Sequence, residues 1–384
     1  MRFTHVTVHN WRNFKSVDVA LHDRLFLVGP NAAGKSNLLD VFRFLGDLAT
    51  PGGGLAAALA ARGGLSKARS LFSRNHRRGK LEVDVQLEDG EDTWRYALAI
   101  KQERGGDQRP MVASEIVERN GEVLLQRPDA DDDEDAERLT QTHLEQVGAN
   151  KAFRVLAEHF AAVSYFHLVP QVIRDPGRMT HRGPDPFGST FIADMNATQA
   201  RTRDAWLRRI QTALQSAVPE FEKLEIEVDS SGRPHLIAGY RNWRERLARQ
   251  SEADFSDGTL RLLGLLWTVV SLSGKGGLLL LEEPELSLNS AIVRTLPTVL
   301  ATAQRDSAMQ VMLSTHAPEL LDDEGVHPFE VLVLRVTEDG SVATLLSDIA
   351  ETQDELEAGL PTSEVVESLI APRDLSGLIG AGRR

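Results

Sequence analysis

The feature that most constrains this chain is an octapeptide near its start, Gly29-Pro30-Asn31-Ala32-Ala33-Gly34-Lys35-Ser36. An apolar run, Leu25-Phe26-Leu27-Val28, leads into it. A helical pattern, Asn37-Leu38-Leu39-Asp40-Val41-Phe42-Arg43-Phe44-Leu45, leads out. The spacing G-x-x-x-x-G-K-[ST] between a strand and a helix wraps backbone amides around phosphate oxygens, because glycine lets the chain turn tightly beside an anion. The helix N-terminus adds a favourable dipole. Asn31, Ala32, Ala33, Gly34 and Asn37 are expected to line this phosphate cradle. Lys35 is expected to reach the β- and γ-phosphates, and the Ser36 hydroxyl to ligate Mg2+. Ala32 stands where many such loops carry glycine; it is small enough to fit but resists a positive φ.

About 240 residues later, Leu278-Leu279-Leu280-Leu281 runs into Glu282-Glu283-Pro284-Glu285. Four leucines in a row suggest a strand buried on both faces. Carboxylates at the end of such a strand sit where open α/β sheets bind ligands. Glu282 is placed to hold Mg2+, directly or through a water. Glu283 is placed to orient or deprotonate an attacking water. A charged end capping a core strand is the plain alternative, and the company of the cradle weighs against it. ATP is therefore the expected ligand, and its hydrolysis the expected reaction.

Two further motifs accompany these. Phe255-Ser256-Asp257-Gly258-Thr259 precedes the apolar stretch Leu260–Trp267, which reads as a buried helix. Ser256 suits its N-cap, and Gly258 is expected to leave the first turn open to a close ligand. An ordinary capped core helix has the same local pattern. Downstream, Gln310-Val311-Met312-Leu313 reads as a strand ending in Ser314-Thr315-His316-Ala317-Pro318. His316 follows Glu283 by 33 residues, room for one helix and one strand, and is expected to reach a γ-phosphate. A lone histidine after a strand is by itself more often structural.

In this order the four motifs resemble the ABC-type ATPase heads of the SMC/RecF/OLD group, and above all its small stand-alone bacterial ATPases. Asn10-Trp11-Arg12-Asn13-Phe14 resembles the N-F-R-N/S-F opening of that group, and the Glu-Glu-Pro-Glu run resembles its OLD-like branch. The resemblance covers approximately residues 1–50 and 250–340. It implies an α/β fold, an ABC-type P-loop NTPase head with a mixed central sheet, an antiparallel β subdomain and a helical lobe. It also implies that Ser256, Asp257 and Gly258 contact the γ-phosphate of ATP held by a second subunit, and that His316 is a switch histidine. Arg12 would lie near the nucleotide phosphates. Gln171, after an expected strand Val163–Leu168, would sense Mg2+ and the attacking water. Leu288-Asn289-Ser290 departs from the group's usual Leu-His-Pro, which weakens a cross-subunit role for that loop.

At 384 residues the chain can bury a large core as one compound unit with two lobes. No apolar run approaches the roughly 20 residues that span a bilayer. The N-terminus enters a strand with no signal peptide, so no membrane partner and a cytoplasmic location are expected. The absence of cysteine excludes disulfides, a zinc hook and thiol catalysis. A net charge of −13 argues against a uniformly basic nucleic-acid surface. Yet residues 51–80 carry Arg62, Lys67, Arg69, Arg74, Arg77, Arg78 and Lys80 and no acid. This stretch reads as a DNA or RNA contact, as a docking surface for an acidic partner, or as a solvated helix. Asp129, Asp131, Asp132, Asp133, Glu134, Asp135 and Glu137 are expected to form a solvated, mobile loop.

The motifs divide the chain into four segments. Residues 1–50 form the first half of the ATPase core, and 51–250 hold the antiparallel subdomain and the helical lobe. Residues 251–346 form the second half of the core, and 347–384 a helical tail. Strands are expected at 1–8, 17–28, Leu81–Leu87, Trp94–Lys101, Ala113–Arg119, Glu122–Gln126, Leu224–Val228 and His235–Tyr240. Helices are expected at Leu55–Ala61, Leu65–Phe72, Lys151–Ala162 and about Phe191–Ala217. No heptad pattern supports coiled-coil arms. The 68 residues after His316 are too few for the Toprim nuclease domain of OLD proteins, so nuclease chemistry is expected from another polypeptide. The leading expectation is a homodimer that closes on two ATP molecules. By family analogy it serves DNA repair or anti-phage defence with a separate, nuclease-like effector. The alternative is a slow-turnover sensor that holds DNA or a partner protein in a nucleotide-dependent way. Phe-Ser-Asp-Gly-Thr differs from the transporter form Leu-Ser-Gly-Gly-Gln, which speaks against a transporter ATPase.

Overall fold

A computed structural model describes residues 1–70, 72, 79–103, 105–176, 185–243, 246–305 and 307–371. The chain opens with β1 (Arg2–Trp11), β2 (Phe14–Ala20) and β3 (Arg24–Val28). Alternation along β1 buries Phe3, Val6 and Val8 on one face. The expected strand 17–28 is interrupted at Leu21-His22-Asp23, and its two halves join different sheets. α1 (Lys35–Ala49) buries Leu38, Leu39, Val41, Phe42, Phe44, Leu45 and Leu48, more than one face of a helix. Two short helices follow, α2 (Leu55–Ala60) and α3 (Leu65–Ala68), the second shorter than expected. The strands β4 (Leu81–Asp89), β5 (Asp92–Gln102), β6 (Pro110–Arg119) and β7 (Glu122–Arg127) form the expected antiparallel meander. Asn120 and Gly121 both take positive φ at the β6–β7 turn, which suits an Asn-Gly hairpin.

The rest of the chain supplies α4 (Ala130–Glu134), α5 (Arg154–Ala161), β8 (Ser164–Phe166), α6 (Pro170–Arg174), α7 (Phe191–Ala197) and α8 (Ala200–Ala217). Then come β9 (Phe221–Val228), β10 (Pro234–Tyr240), β11 (Ala248–Ser251), α9 (Asp257–Leu272) and β12 (Gly277–Glu282). The last elements are α10 (Ser290–Val293), α11 (Leu296–Arg305), β13 (Met309–Ser314), β14 (Val331–Thr337), β15 (Gly340–Leu345), α12 (Gln353–Glu357) and α13 (Thr362–Ile370).

These elements gather into two compact units that cut across the four motif-based segments. The first holds Met1–Ser164, Gly277–Leu280 and the chain from Ala308 onward; the second holds Tyr165–Gly276 and Leu281–Ser307. In the first unit one sheet has the order β2-β1-β4-β5-β6-β7. A second runs β15-β14-β3-β13-β12, with β3 parallel to both β13 and β14 and β14 antiparallel to β15. It is the expected mixed sheet. Phe3 meets Phe42 of α1 edge-on at 5.2 Å and stacks on Phe160 of α5 at 5.6 Å. Each such buried ring stabilises the fold by roughly 2–3 kcal/mol. α5 therefore belongs with α1, and the expected helical lobe loses its first member.

The acidic run also departs from expectation. Asp129 caps α4 in a reciprocal capping box with Asp132. Asp132 is buried and pairs with buried Arg127 at 2.7 Å. Arg127 also reaches buried Glu115 at 3.2 Å and donates to the carbonyls of Arg138 and Gln141. Burial pushes the Glu115 carboxyl upward, against the bonds from the His143 and Leu144 amides and the Arg127 charge. The segment is thus pinned to the meander by charge-assisted bonds, because a buried guanidinium needs carboxylate partners.

In the second unit, Leu207, Ile210 and Leu214 of α8 pack with Leu260, Leu263 and Trp267 of α9. Leu224, Leu236 and Ala238 add the inner face of the antiparallel sheet β11-β10-β9. The expected helix Phe191–Ala217 divides into α7 and α8 around Thr198-Gln199.

His159 on α5 lies against Phe3, with ring centroids 5.2 Å apart and Nε2 buried without a hydrogen-bond partner. Burial pushes its imidazole down to about 4, and the N-terminal ammonium acts in the same direction. The folded chain holds the ring neutral while an unfolded chain protonates it near pH 6.5. Stability is therefore full above about pH 6.5 and falls as pH drops toward 4, by up to about 1.4 kcal/mol per pH unit. Urea unfolding across this window should show a steeper loss for the wild type than for His159→Phe. Parallel pH profiles would remove this role from His159.

Candidate functional site

The cradle lies in the first unit, between the end of β3 at Val28 and the start of α1 at Lys35. Gly34 has φ 102° and Ala32 φ 62°, both in the left-handed region. Ala32 accepts this conformation against its own Cβ, at a cost of about 1–2 kcal/mol. Ala33, Gly34 and Lys35 are buried, while Asn31, Ala32 and Ser36 are exposed and Asn37 is half-buried. The Lys35 ammonium donates to the carbonyls of Gly29 at 2.8 Å and Pro30 at 3.4 Å. It lies folded over its own loop.

Beneath the loop sits the opening turn of the chain. A Cβ on Gly34 would stand 2.4 Å from Asn13 Nδ2 and 2.8 Å from Phe14 Cζ. Asn13 Nδ2 donates to the Ala32 carbonyl at 3.5 Å and to Ser341 Oγ at 2.6 Å, and Asn13 Oδ1 accepts from Asn37 at 2.8 Å. Trp11 Nε1 donates to the Asn37 carbonyl at 2.8 Å. Sequence reasoning assigned no role to Asn13, although its motif was visible. Arg12, expected near the phosphates, stands beside α1 with Nη2 3.3 Å from Asp40. Asp40 is also held by Arg62 at 2.7 Å.

That pairing corrects the reading of the basic stretch. Arg62 is buried, bonded to Asp40 and Asp47, with its guanidinium 5.2 Å from the Phe44 ring centre. Arg69 is 2% exposed, and burial pushes its guanidinium pKa down. Neither is a surface charge for DNA. Lys67 and Lys80 are exposed; Arg74, Arg77 and Arg78 lie outside the described residues.

His316 leaves β13 at the same edge of the sheet as the cradle. Ser314 is in register with Leu27, and the Thr315 amide bonds the Leu27 carbonyl at 3.0 Å. Parallel pairing thus brings the exposed His316 beside the strand end from which the cradle starts.

The acid pair, Gln171 and the Ser256–Gly258 turn lie in the second unit. Glu282 ends β12 and accepts a hydrogen bond from the Tyr165 hydroxyl. Glu283 takes φ 46°, a left-handed conformation that a non-glycine residue keeps only when its surroundings hold it. Ser256 caps α9 as expected, its Oγ accepting from the Thr259 amide at 3.1 Å. A Cβ on Gly258 would lie 2.4 Å from the Ser287 carbonyl oxygen, so the missing side chain makes room for the chain's own backbone. Gln171, on α6, donates to Asp257 at 3.2 Å. Asn289 caps α10 through the Ala291 amide, a local reason for asparagine in that loop. Sequence reasoning passed over Arg261, one turn after Asp257. Burial lowers its guanidinium pKa, opposed by the charges of Asp257, Glu283 and Glu285. Only its placement on an apolar helix could have signalled it.

A family model described as "AAA domain, putative AbiEii toxin, Type IV TA system" matches residues 25–322. The chain belongs to this family. The SMC head domain from Thermotoga maritima is similar with a TM-score of 0.51 and 15% identity, covering 90% of this chain and 99% of that one. An SMC head bound to the C-winged helix domain of ScpA gives 0.54 and 14%, covering 90% and 98%. An SMC head with an extended coiled coil, bound to the C-terminal domain of ScpA derived from Pyrococcus furiosus, gives 0.51 and 12%, covering 92% and 99%. A search of curated proteins returns no match. The fold of this AAA family member is the SMC-head, ABC-type P-loop ATPase fold. No helix among the described residues is long and apolar enough to cross a membrane.

Gly34→Ala should displace Asn13 and open the loop. Nucleotide affinity measured by calorimetry should fall at least about tenfold, equivalent to 1.4 kcal/mol. Unchanged affinity would show that the Asn13 contact does not shape the cradle.

Proposed function

We propose that this chain hydrolyses ATP and uses the nucleotide to drive closure of a homodimer. The observation that carries this reading is the cradle, whose left-handed Ala32 and Gly34 are braced by Asn13 and whose Lys35 ammonium rests on loop carbonyls. An incoming phosphate replaces those carbonyls as the partner of Lys35 with a full negative charge. Asn31, Ala32, Ala33, Gly34 and Asn37 line the phosphates, while Arg12 is held beside α1 by Asp40. Ser36 and Glu282 would hold Mg2+, with Gln171 as a further ligand through its amide. The ion neutralises phosphate charge when bound. Glu283 orients or deprotonates the attacking water, and His316 contacts the γ-phosphate. Ser256, Asp257 and Gly258 of one protomer face the nucleotide of the other.

Closure and opening would be read by a separate effector protein in the cytoplasm. A family description that names an AbiEii toxin and a Type IV TA system favours defence over repair. The ScpA domains bound by two similar SMC heads support a polypeptide partner for this fold.

Lys35→Ala should lose ATP binding in calorimetry while keeping the wild-type circular dichroism spectrum; a folded variant with full affinity would reject the cradle assignment. Glu283→Gln should bind ATP, turn over at least about 100-fold more slowly, and accumulate as a dimer on a sizing column. A variant that stays monomeric with ATP would reject the dimer.

A further inference from the structure

Two side chains of α6 converge on one carboxylate at the start of α9. Arg174 Nη2 is 2.7 Å from Asp257 Oδ1, and Gln171 Nε2 donates to Asp257 Oδ2 at 3.2 Å. The same Arg174 nitrogen donates to the Phe255 carbonyl at 2.6 Å, just before the Ser256 cap. On its other side the turn is pressed against the Ser287 carbonyl through Gly258. Ser287 closes the short loop that begins at Glu283, and the Leu286 amide bonds the Glu283 carbonyl at 3.3 Å. Within the second unit, contact therefore runs from α6 through the Ser256–Gly258 turn to the loop bearing Glu283.

We propose that Arg174 is a positioning residue for the ATPase reaction, acting through Asp257 and the Phe255 carbonyl to set this turn against the Glu283 loop. The proposal rests on the ATPase reading above. An exposed ion pair alone contributes little. Arg174 differs because it spans a carboxylate and a main-chain carbonyl on both sides of a helix cap, a geometry that a planar guanidinium holds and an ammonium does not. It also offsets the Asp257 charge at a turn meant for phosphate. Without Arg174, Asp257 keeps only the neutral Gln171 among these partners, and the cap is free to shift on Ser287.

The test compares steady-state ATP hydrolysis by wild type, Arg174→Ala, Arg174→Lys, Asp257→Ala and the double alanine variant, with thermal midpoints recorded alongside. Arg174→Ala should lower kcat about tenfold or more with KM for ATP changed less than about twofold, the signature of misplaced chemistry without lost binding. Arg174→Lys should fall between, and the double variant should lose less than the product of the two single losses, since both single variants break the Arg174–Asp257 contact. If Arg174→Ala unfolds, the Lys variant carries the same comparison. An unchanged kcat, a loss confined to KM, or multiplying losses in the double variant would overturn the proposal alone. A wild type without Glu283-dependent hydrolysis would instead overturn the ATPase reading, and the proposal with it.

Discussion

The cradle keeps its shape because Gly34 has no side chain. The place a Cβ would take belongs to the Asn13 amide and the edge of Phe14. From that position Asn13 bonds Ala32 in the loop, Asn37 in α1 and Ser341 in β15, while its carbonyl accepts from the Ser341 amide at 2.9 Å. One amide side chain with four hydrogen-bonding sites thus ties three segments together. The left-handed backbone of Ala32, unfavourable in isolation, persists inside this frame. The shape of the cradle is a property of the opening turn as much as of the loop.

A similar device recurs in the second unit. Gly258 lets the first turn of α9 touch the Ser287 backbone, and Glu283 holds a left-handed conformation in the loop between. In both units a missing Cβ permits backbone contact at a motif, and polar side chains fix what the contact leaves free. Such close approaches are stiff, because a shift of a few tenths of an ångström meets hard repulsion. Stiffness at these two points suits the proposed hydrolysis, which depends on placing a few atoms.

The strands of the meander, α1, the mixed sheet and the capped start of α9 were legible from period, turn residues and motif spacing. The acidic run was misread. Seven carboxylates in nine residues look solvated, yet Asp132 turns inward because Arg127 is buried beside it. Arg62 was misread in the same way, since its partners Asp40 and Asp47 lie on a neighbouring helix. Charge clusters along a chain say nothing about which member faces inward. Gly258 has a further role that the sequence did not show: the place of its missing Cβ is taken by the Ser287 carbonyl.

By itself the sequence determined the strands of the meander, α1, the phosphate loop, the acid pair and hence the class of ATPase, because these depend on local spacing and backbone preference. Tertiary structure decided the partner of each polar side chain. Asn13 meets Ser341 across 328 residues, Arg24 meets Glu330 across 306, and Gln171 meets Asp257 across 86. No local pattern encodes such pairs, since a polar group takes whichever partner folding brings within about 3 Å, and burial then makes that choice costly to undo.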